Sequence, residues 1–223
     1  ETPAMDRMAR EGAWIRNAFV TTSLSSPSRA SILTGMYSHS HKVVDNSAPM
    51  PAGLTFFPEY LQQVGYQTGF FGKWHMGNDT GDPQPGFNHW ESFSGQGEYY
   101  NPRLNVNGKW IRYADSTYVT DLLTTHAIEF MKQQQTSHKP FMVYLSHKGV
   151  HDNFSPAKRH KGCYSGKPLV IPPSFDTSKE KIKALPTIDP STGKAAAGKE
   201  YYGENMLPNW EKNKRESWQG VDN

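Results

Sequence analysis

Three short stretches hold the residues best suited to chemistry. "SLSSPSRASILTG", Ser23 to Gly35, places hydroxyls, a proline and an arginine in front of a helix-like run. "GKWHMG" sets Lys73 and His75 on either side of Trp74, and "YLSHKGVH" carries His147 and Lys148 and ends at His151. A serine at a helix start is commonly a cap. Arg29 shifts that reading, because a guanidinium in the first turn opposes the helix dipole and is better explained by an anion held there. Pro27 removes one orphan donor and stiffens the turn. Lysine and histidine side chains suit charge stabilisation and proton transfer, although each alone also suits a solvated loop. An anion-binding turn rich in hydroxyls is the chemistry suggested, with the acting hydroxyl left open at this level.

The neighbouring elements have to bring these stretches together. Thr2-Pro3, then Met5, Met8 and Ala9 with Gly12 behind them, predict a short helix with Pro in its first turn. "AWIRNAFV" predicts a strand over residues 13–20, followed by a helix over 28–36, which puts Ser25 and Ser26 at a strand-to-helix junction. "FFPEYLQQVGY" predicts a helix stopped near Gly65, and "QTGFFG" a buried strand after it. That strand delivers Lys73 and His75 to its C-terminal end, the edge where open α/β sheets bind ligands. "LNVNGKWIRY" is a hairpin turning at Asn107-Gly108, "YVTDLLTTHAIEFMKQQQ" an amphipathic helix, and "PFMVYLS" a second buried strand. The last delivers His147, Lys148 and His151 to the same kind of edge. Beyond Ser155, Pro, Lys, Gly and Ser dominate and periodicity is lost.

Composition narrows the classes. The 223 residues are 35% hydrophobic, and a net charge of +3 with interspersed signs supplies neither a nucleic-acid stripe nor a basic membrane face. Cys163 is the single cysteine, so neither an internal disulfide nor a cysteine zinc site is available, and that residue reads as incidental. No apolar run approaches the roughly 18 residues of a spanning helix.

Ser25-Ser26-Pro27-Ser28-Arg29 followed by Thr34-Gly35 resembles the sulfatase signature Cys/Ser-x-Pro-x-Arg-x-x-x-x-Thr-Gly. "GKWHMG" resembles the second signature of that family, and "YLSHKGVH" the segment that supplies a further active-site histidine. The resemblance implies an α/β, alkaline-phosphatase-like sandwich, with a central mixed sheet flanked by helices and incomplete at both ends. It implies one catalytic domain over residues 1–223, made of a core over 1–153 and an irregular surface excursion over 154–223.

It also implies a sulfuric ester hydrolase in which Ser25 is oxidised to formylglycine by a maturase acting on serine. Arg29 would stabilise the modified residue, Lys73 would bind a sulfate oxygen, His75 would act as base, and His151 would protonate the leaving alcohol. His39 and His41 resemble a supporting histidine pair behind the site. One Ca²⁺ would take the oxygen of modified Ser25 as a ligand, its remaining ligands lying outside the chain; the letters of Asp222-Asn223 match one such ligand pair, but no apolar strand leads to them.

"HSHKVVDN" and "GQGEYYNPRLNVNGKWIRY" resemble the N-acetylglucosamine-6-sulfatase branch, including bacterial enzymes that desulfate mucin or glycosaminoglycan. The implied partner is a sulfated carbohydrate, with no nucleic acid and no membrane insertion, and the implied location is the bacterial periplasm or exterior. Two alternatives stand beside this reading: a phosphatase or phosphodiesterase of the alkaline phosphatase superfamily using unmodified Ser25, and a non-catalytic fragment.

Overall fold

Phe70, Phe71 and their neighbours alternate between two apolar layers, which is why the run around them is hydrophobic without a period of two. The computed structural model describes residues 2–78 and 80–166, together with the backbone of two short strands farther on. Its first unit, Glu1–Ala157, contains helices α1 (Pro3–Glu11), α2 (Ser25–Thr34), α3 (Ser38–His41) and α4 (Phe57–Gln63). Then come β1 (Gln67–Lys73), β2 (His89–Phe93), β3 (Arg103–Val106), β4 (Lys109–Arg112), α5 (Val119–Thr136) and β5 (Phe141–Ser146). The second unit, Lys158–Asn223, shows a 3-10 turn at Lys158–His160 and an antiparallel pair, β6 (Lys181–Ile182) with β7 (Tyr201–Tyr202). The excursion expected over 154–223 otherwise falls mostly outside the described residues, as do Asp222 and Asn223.

Five strands form one mixed sheet in the order β4-β3-β2-β1-β5. β1 runs parallel to β2 and β5, so all three strands end at one edge, whereas β3 pairs antiparallel with both β2 and β4. Asn107 and Gly108 turn the hairpin with φ of 50° and 90°, the pair of positive values that a tight primed turn requires. One face of the sheet packs Phe70, Trp74 and Trp90 against Ala30 and Leu33 of α2, with Val43 and Phe56. The other packs Phe71, Phe93 and Leu104 against Val119, Leu123, Ala127 and Phe130, the apolar stripe of α5. The mixed sheet flanked by helices is therefore as expected.

Two elements differ from expectation. Residues 13–20 form no strand, and Trp14, Ile15, Phe19 and Val20 are all exposed. Aromatic and branched residues favour a strand only where a neighbour supplies a ladder, and none pairs with this segment among the described residues. α2 accordingly begins at Ser25, after an irregular approach, and the strand-to-helix junction is absent. β5 forms where predicted but is not buried: Phe141 and Leu145 are each 38% exposed, because β5 pairs with β1 alone among the described residues and lies at the sheet edge.

A buried carboxylate ties the sheet to α5. Glu91 is 3% exposed, with one oxygen 2.9 Å from His89 Nε2 and the other 2.7 Å from His126 Nδ1. Burial pushes the Glu91 carboxyl up, yet its bonds to His126 and His89 override this and hold it below its ordinary 4.5. The same Glu91 bond, opposed by burial, raises His126 above 6.5. A raised histidine contributes stability below its unfolded value and loses it as pH rises through the folded value; a depressed carboxylate contributes above its unfolded value and loses it as pH falls. The clamp is thus strongest between 4.5 and 6.5. Glu91→Gln is expected to cost about 2 kcal/mol in that window, the size of a hydrogen bond to a charged group. Thermal melts across pH check this, and a gap to wild type that is flat with pH would refute the clamp.

Candidate active site

α2 starts without a side-chain cap. Leu24 occupies the cap position in extended conformation, and none of the serines closes a cap hydrogen bond. The orphan donors are met differently: Asn46 Oδ1 accepts the Ser26 N–H at 3.0 Å, and Pro27 has none to satisfy. The first backbone bond of the helix runs from Ser28 N to Leu24 O at 3.0 Å. Ser26 spends its hydroxyl on the carbonyl of His75 at 2.5 Å, which ties the helix start to the loop after β1. Ser25 and Arg29, four residues apart, share a helix face and line one open depression of about 510 Å³ with Ser28, Tyr144 and Ser146. At the far end Gly35 takes φ 69°, the left-handed helix stop. Thr34 Oγ1 donates to Ala30 O at 2.7 Å and accepts from Met36 N at 3.2 Å, so the closing Thr-Gly is a helix terminator.

The Lys-Trp-His spacing has a packing cause. Trp74 is 2% exposed and meets Phe56, Phe70 and Trp90 edge to face, each at 5.5 Å, so it anchors the chain while Lys73 and His75 on either side are free to differ from it in direction. Lys73 is 3% exposed and its Nζ donates to Gln96 Oε1 at 2.5 Å. Gln96 Nε2 lies 3.3 Å from His75 Nε2, so one amide touches both groups. Arg29 Nη1 donates to Lys73 O at 2.6 Å and to Ser146 Oγ at 2.8 Å, joining α2 to the ends of β1 and β5. Gly72 permits this approach: at φ 111° it faces Ser146 so closely that a Cβ would fall 1.9 Å from the Ser146 carbonyl oxygen.

Burial first, then the charges of Lys73, Arg29 and His151, lower the His75 pKa to about 4. These four residues therefore lie within electrostatic reach of one another, and the imidazole is neutral near pH 7. His151 sits in a turn, its N–H bonded to Lys148 O at 2.9 Å and its Nδ1 2.6 Å from Asp152 Oδ1. Tyr99 donates to the His151 carbonyl at 2.5 Å. Lys148 is 6% exposed, bonds Asp152 O at 3.3 Å and lies 4.7 Å from the Tyr99 ring centroid, which makes it a brace for this loop. Burial lowers the His147 pKa. His41 is fully buried behind α2, its Nδ1 accepting from Val43 N and its Nε2 3.0 Å from Ser31 Oγ, while His39 is exposed and stacks on Tyr37. The two histidines thus part company. Cys163 is exposed.

Gln96 is the site residue that sequence reasoning missed. Its only signal is "SGQG" directly after β2, a polar residue between Gly95 and Gly97 with φ of 62° and 66°, at the end of a strand parallel to β1. Hard Ca²⁺ takes 6–8 oxygens, usually several carboxylates. Among the described residues no group of three or more His, Cys, Asp or Glu is placed to hold a metal, so these residues do not by themselves fit the ion. None of the described helices is long and apolar enough to cross a membrane.

The Sulfatase family model matches residues 1–170. An N-acetylglucosamine-6-O-sulfatase of Bacteroides thetaiotaomicron is 40% identical over 188 residues, covering 82% of this chain and 32% of the relative. The N-acetylglucosamine-6-sulfatase of Capra hircus is 30% identical over 174 residues, covering 69% of this chain and 31% of that protein. The solved structure of BT4656 in complex with its substrate D-glucosamine-2-N,6-O-disulfate matches with a TM-score of 0.66 at 42% identity, over 73% of this chain and 32% of that one. The chain thus spans about a third of the length of these relatives.

Proposed function

The chain belongs to the sulfatase family, and from that premise we propose that it forms the nucleophile side of an enzyme that hydrolyses a sulfate ester on a carbohydrate. The supporting observation is the convergence of Arg29, Lys73, His75 and His151 on the start of α2, where Ser25 and Arg29 line one open depression. In this reading Ser25 is oxidised to formylglycine, whose hydrated form supplies an oxygen that attacks sulfur and a second hydroxyl that later releases sulfate. Arg29, braced by Lys73 O and Ser146, holds negative charge at the modified residue. Lys73 faces the sulfate oxygen on which charge grows as the ester bond breaks. His151 hands a proton to the departing alcohol oxygen, and His75 takes one from the second hydroxyl.

A divalent cation belongs to the proposal through the family, but no step is routed through it, because the described residues do not fit it. Maturation by a formylglycine-generating enzyme that accepts serine, and export to the periplasm or beyond, complete the reading. The substrate is taken to be a glucosamine 6-sulfate of mucin or glycosaminoglycan, on the strength of the relatives and of the disulfated glucosamine bound to BT4656.

The test is sulfate release by the full-length protein from N-acetylglucosamine 6-sulfate against galactose 6-sulfate. Preference for the former supports the reading; equal or absent turnover of it removes the branch. A base must be neutral to act, so activity is lost as pH falls through its pKa. With His75 at about 4 and its proton transfer placed in sulfate release, after the alcohol has left, the acid limb of kcat is expected near that pH. A limb near 6.5, the ordinary histidine value, would take the base role away from His75.

A further inference from the structure

A second open depression, of about 470 Å³, lies on the hairpin side of the loop that carries Gln96; Phe93, Glu98, Arg103, Trp110 and Arg112 line it. Gln96 holds Lys73, and its near neighbours Gly97 and Glu98 face this depression, so a few residues of one loop separate the two sites. Arg103 and Arg112 stand directly opposite each other on β3 and β4. Like charges in that position repel, and the two are treated differently. Arg112 is neutralised by Glu98 and also donates to Asn101 O at 2.8 Å. Arg103 pairs with no carboxylate among the described residues; its guanidinium instead lies 4.8 Å from the Trp110 ring centroid. Stacking fixes the plane of a guanidinium while leaving its edge donors for a planar or tetrahedral anion. Trp110, 37% exposed, brings an aromatic surface to the same depression.

We propose that this depression is a second anion subsite, in which Arg103, stacked on Trp110, receives a sulfate or carboxylate carried by the same glycan whose ester reacts at Lys73. The proposal rests on the carbohydrate sulfatase reading and adds a preference for substrates bearing more than one anionic group. Arg112 and Glu98, already paired, shape the wall, and Arg103 supplies the selective charge.

The test uses the full-length protein carrying Ser25→Ala, so that bound glycan is not turned over, and calorimetric titration with a multiply sulfated heparan tetrasaccharide and with N-acetylglucosamine 6-sulfate. Adding Arg103→Gln is expected to lower the ratio of tetrasaccharide to monosaccharide affinity by about tenfold, the size of one lost hydrogen bond to a charged group, and to flatten the salt dependence of tetrasaccharide binding. Trp110→Leu, which removes the platform and keeps the charge, is expected to lower the ratio by a smaller factor. Equal loss for both ligands, or none, overturns the subsite even if the parent enzyme is a sulfatase. If the parent protein releases no sulfate and binds neither sugar, the sulfatase reading fails first and the subsite falls with it. Matching melting temperatures for the variants exclude misfolding as the cause.

Discussion

Lys73→Ala is expected to lower kcat for sulfate ester hydrolysis by about 10²–10³-fold, the cost of removing one preorganised group that meets developing charge, and to leave the fold nearly as stable as before. The geometry explains why the two effects separate. The side chain is 3% exposed and its ammonium donates to the carbonyl of a glutamine amide, a neutral partner, so its burial is a cost to the fold. Removing it takes away a costly buried cation and leaves a small void and an unmatched Gln96 Oε1, terms of opposite sign. The bond that matters for architecture, from Arg29 Nη1 to Lys73 O, runs to the backbone and survives the substitution. In steady-state kinetics kcat and kcat/KM should fall together, as when an interaction is made only in the transition state. A rise in KM with unchanged kcat would make Lys73 a ground-state anchor, and a collapse of the melting temperature would make it a structural residue.

The legible parts of this chain are those in which one local cause decides the outcome. The α5 stripe Val119, Leu123, Ala127 and Phe130 repeats at helical spacing, Asn107-Gly108 dictates its turn, and Gly35 stops α2 by φ alone. The placement of Lys73 and His75 was legible in the same way, since Lys73 ends and His75 follows a strand whose burial is written in "QTGFFG".

What was not legible depends on partners distant in sequence. The Ala13–Val20 segment has strand composition but no ladder among the described residues, and β5 is apolar yet half open for the same reason. Gln96 and the Glu91 clamp gain their meaning only when β2 is placed beside β1 and beneath α5, pairings that no local pattern around "HWESF" announces. Arg29, expected in the first turn of a helix over 28–36, lies one turn into α2 because that helix starts at Ser25, and its backbone anchor on β1 is 44 residues away.

Ser25 gives the other large effect. Ser25→Ala in the full-length protein is expected to abolish sulfate release, by on the order of 10⁶-fold if the loss matches removal of other catalytic nucleophiles, with little change in stability. The stability half follows from the helix start: Ser25 closes no cap bond, Asn46 serves the Ser26 N–H, and Leu24 supplies the carbonyl for Ser28, so alanine at position 25 disturbs none of these. The activity half follows from a chemical limit. A serine hydroxyl is a weak nucleophile at its free pKa, and a sulfate ester formed on it would have no internal route to release. Oxidation to an aldehyde removes that limit, since its hydrate carries two hydroxyls on one carbon.

Mass spectrometry of the peptide spanning Ser25, from protein made with its maturase, is therefore expected to show a loss of two hydrogen atoms, and an aldehyde-selective hydrazide should label that peptide and none from Ser25→Ala. An unmodified Ser25 in a protein that still releases sulfate would sink the formylglycine mechanism. An unmodified Ser25 in a protein that releases phosphate instead would move the enzyme to the phosphatase branch of the wider superfamily, with the serine hydroxyl itself as nucleophile.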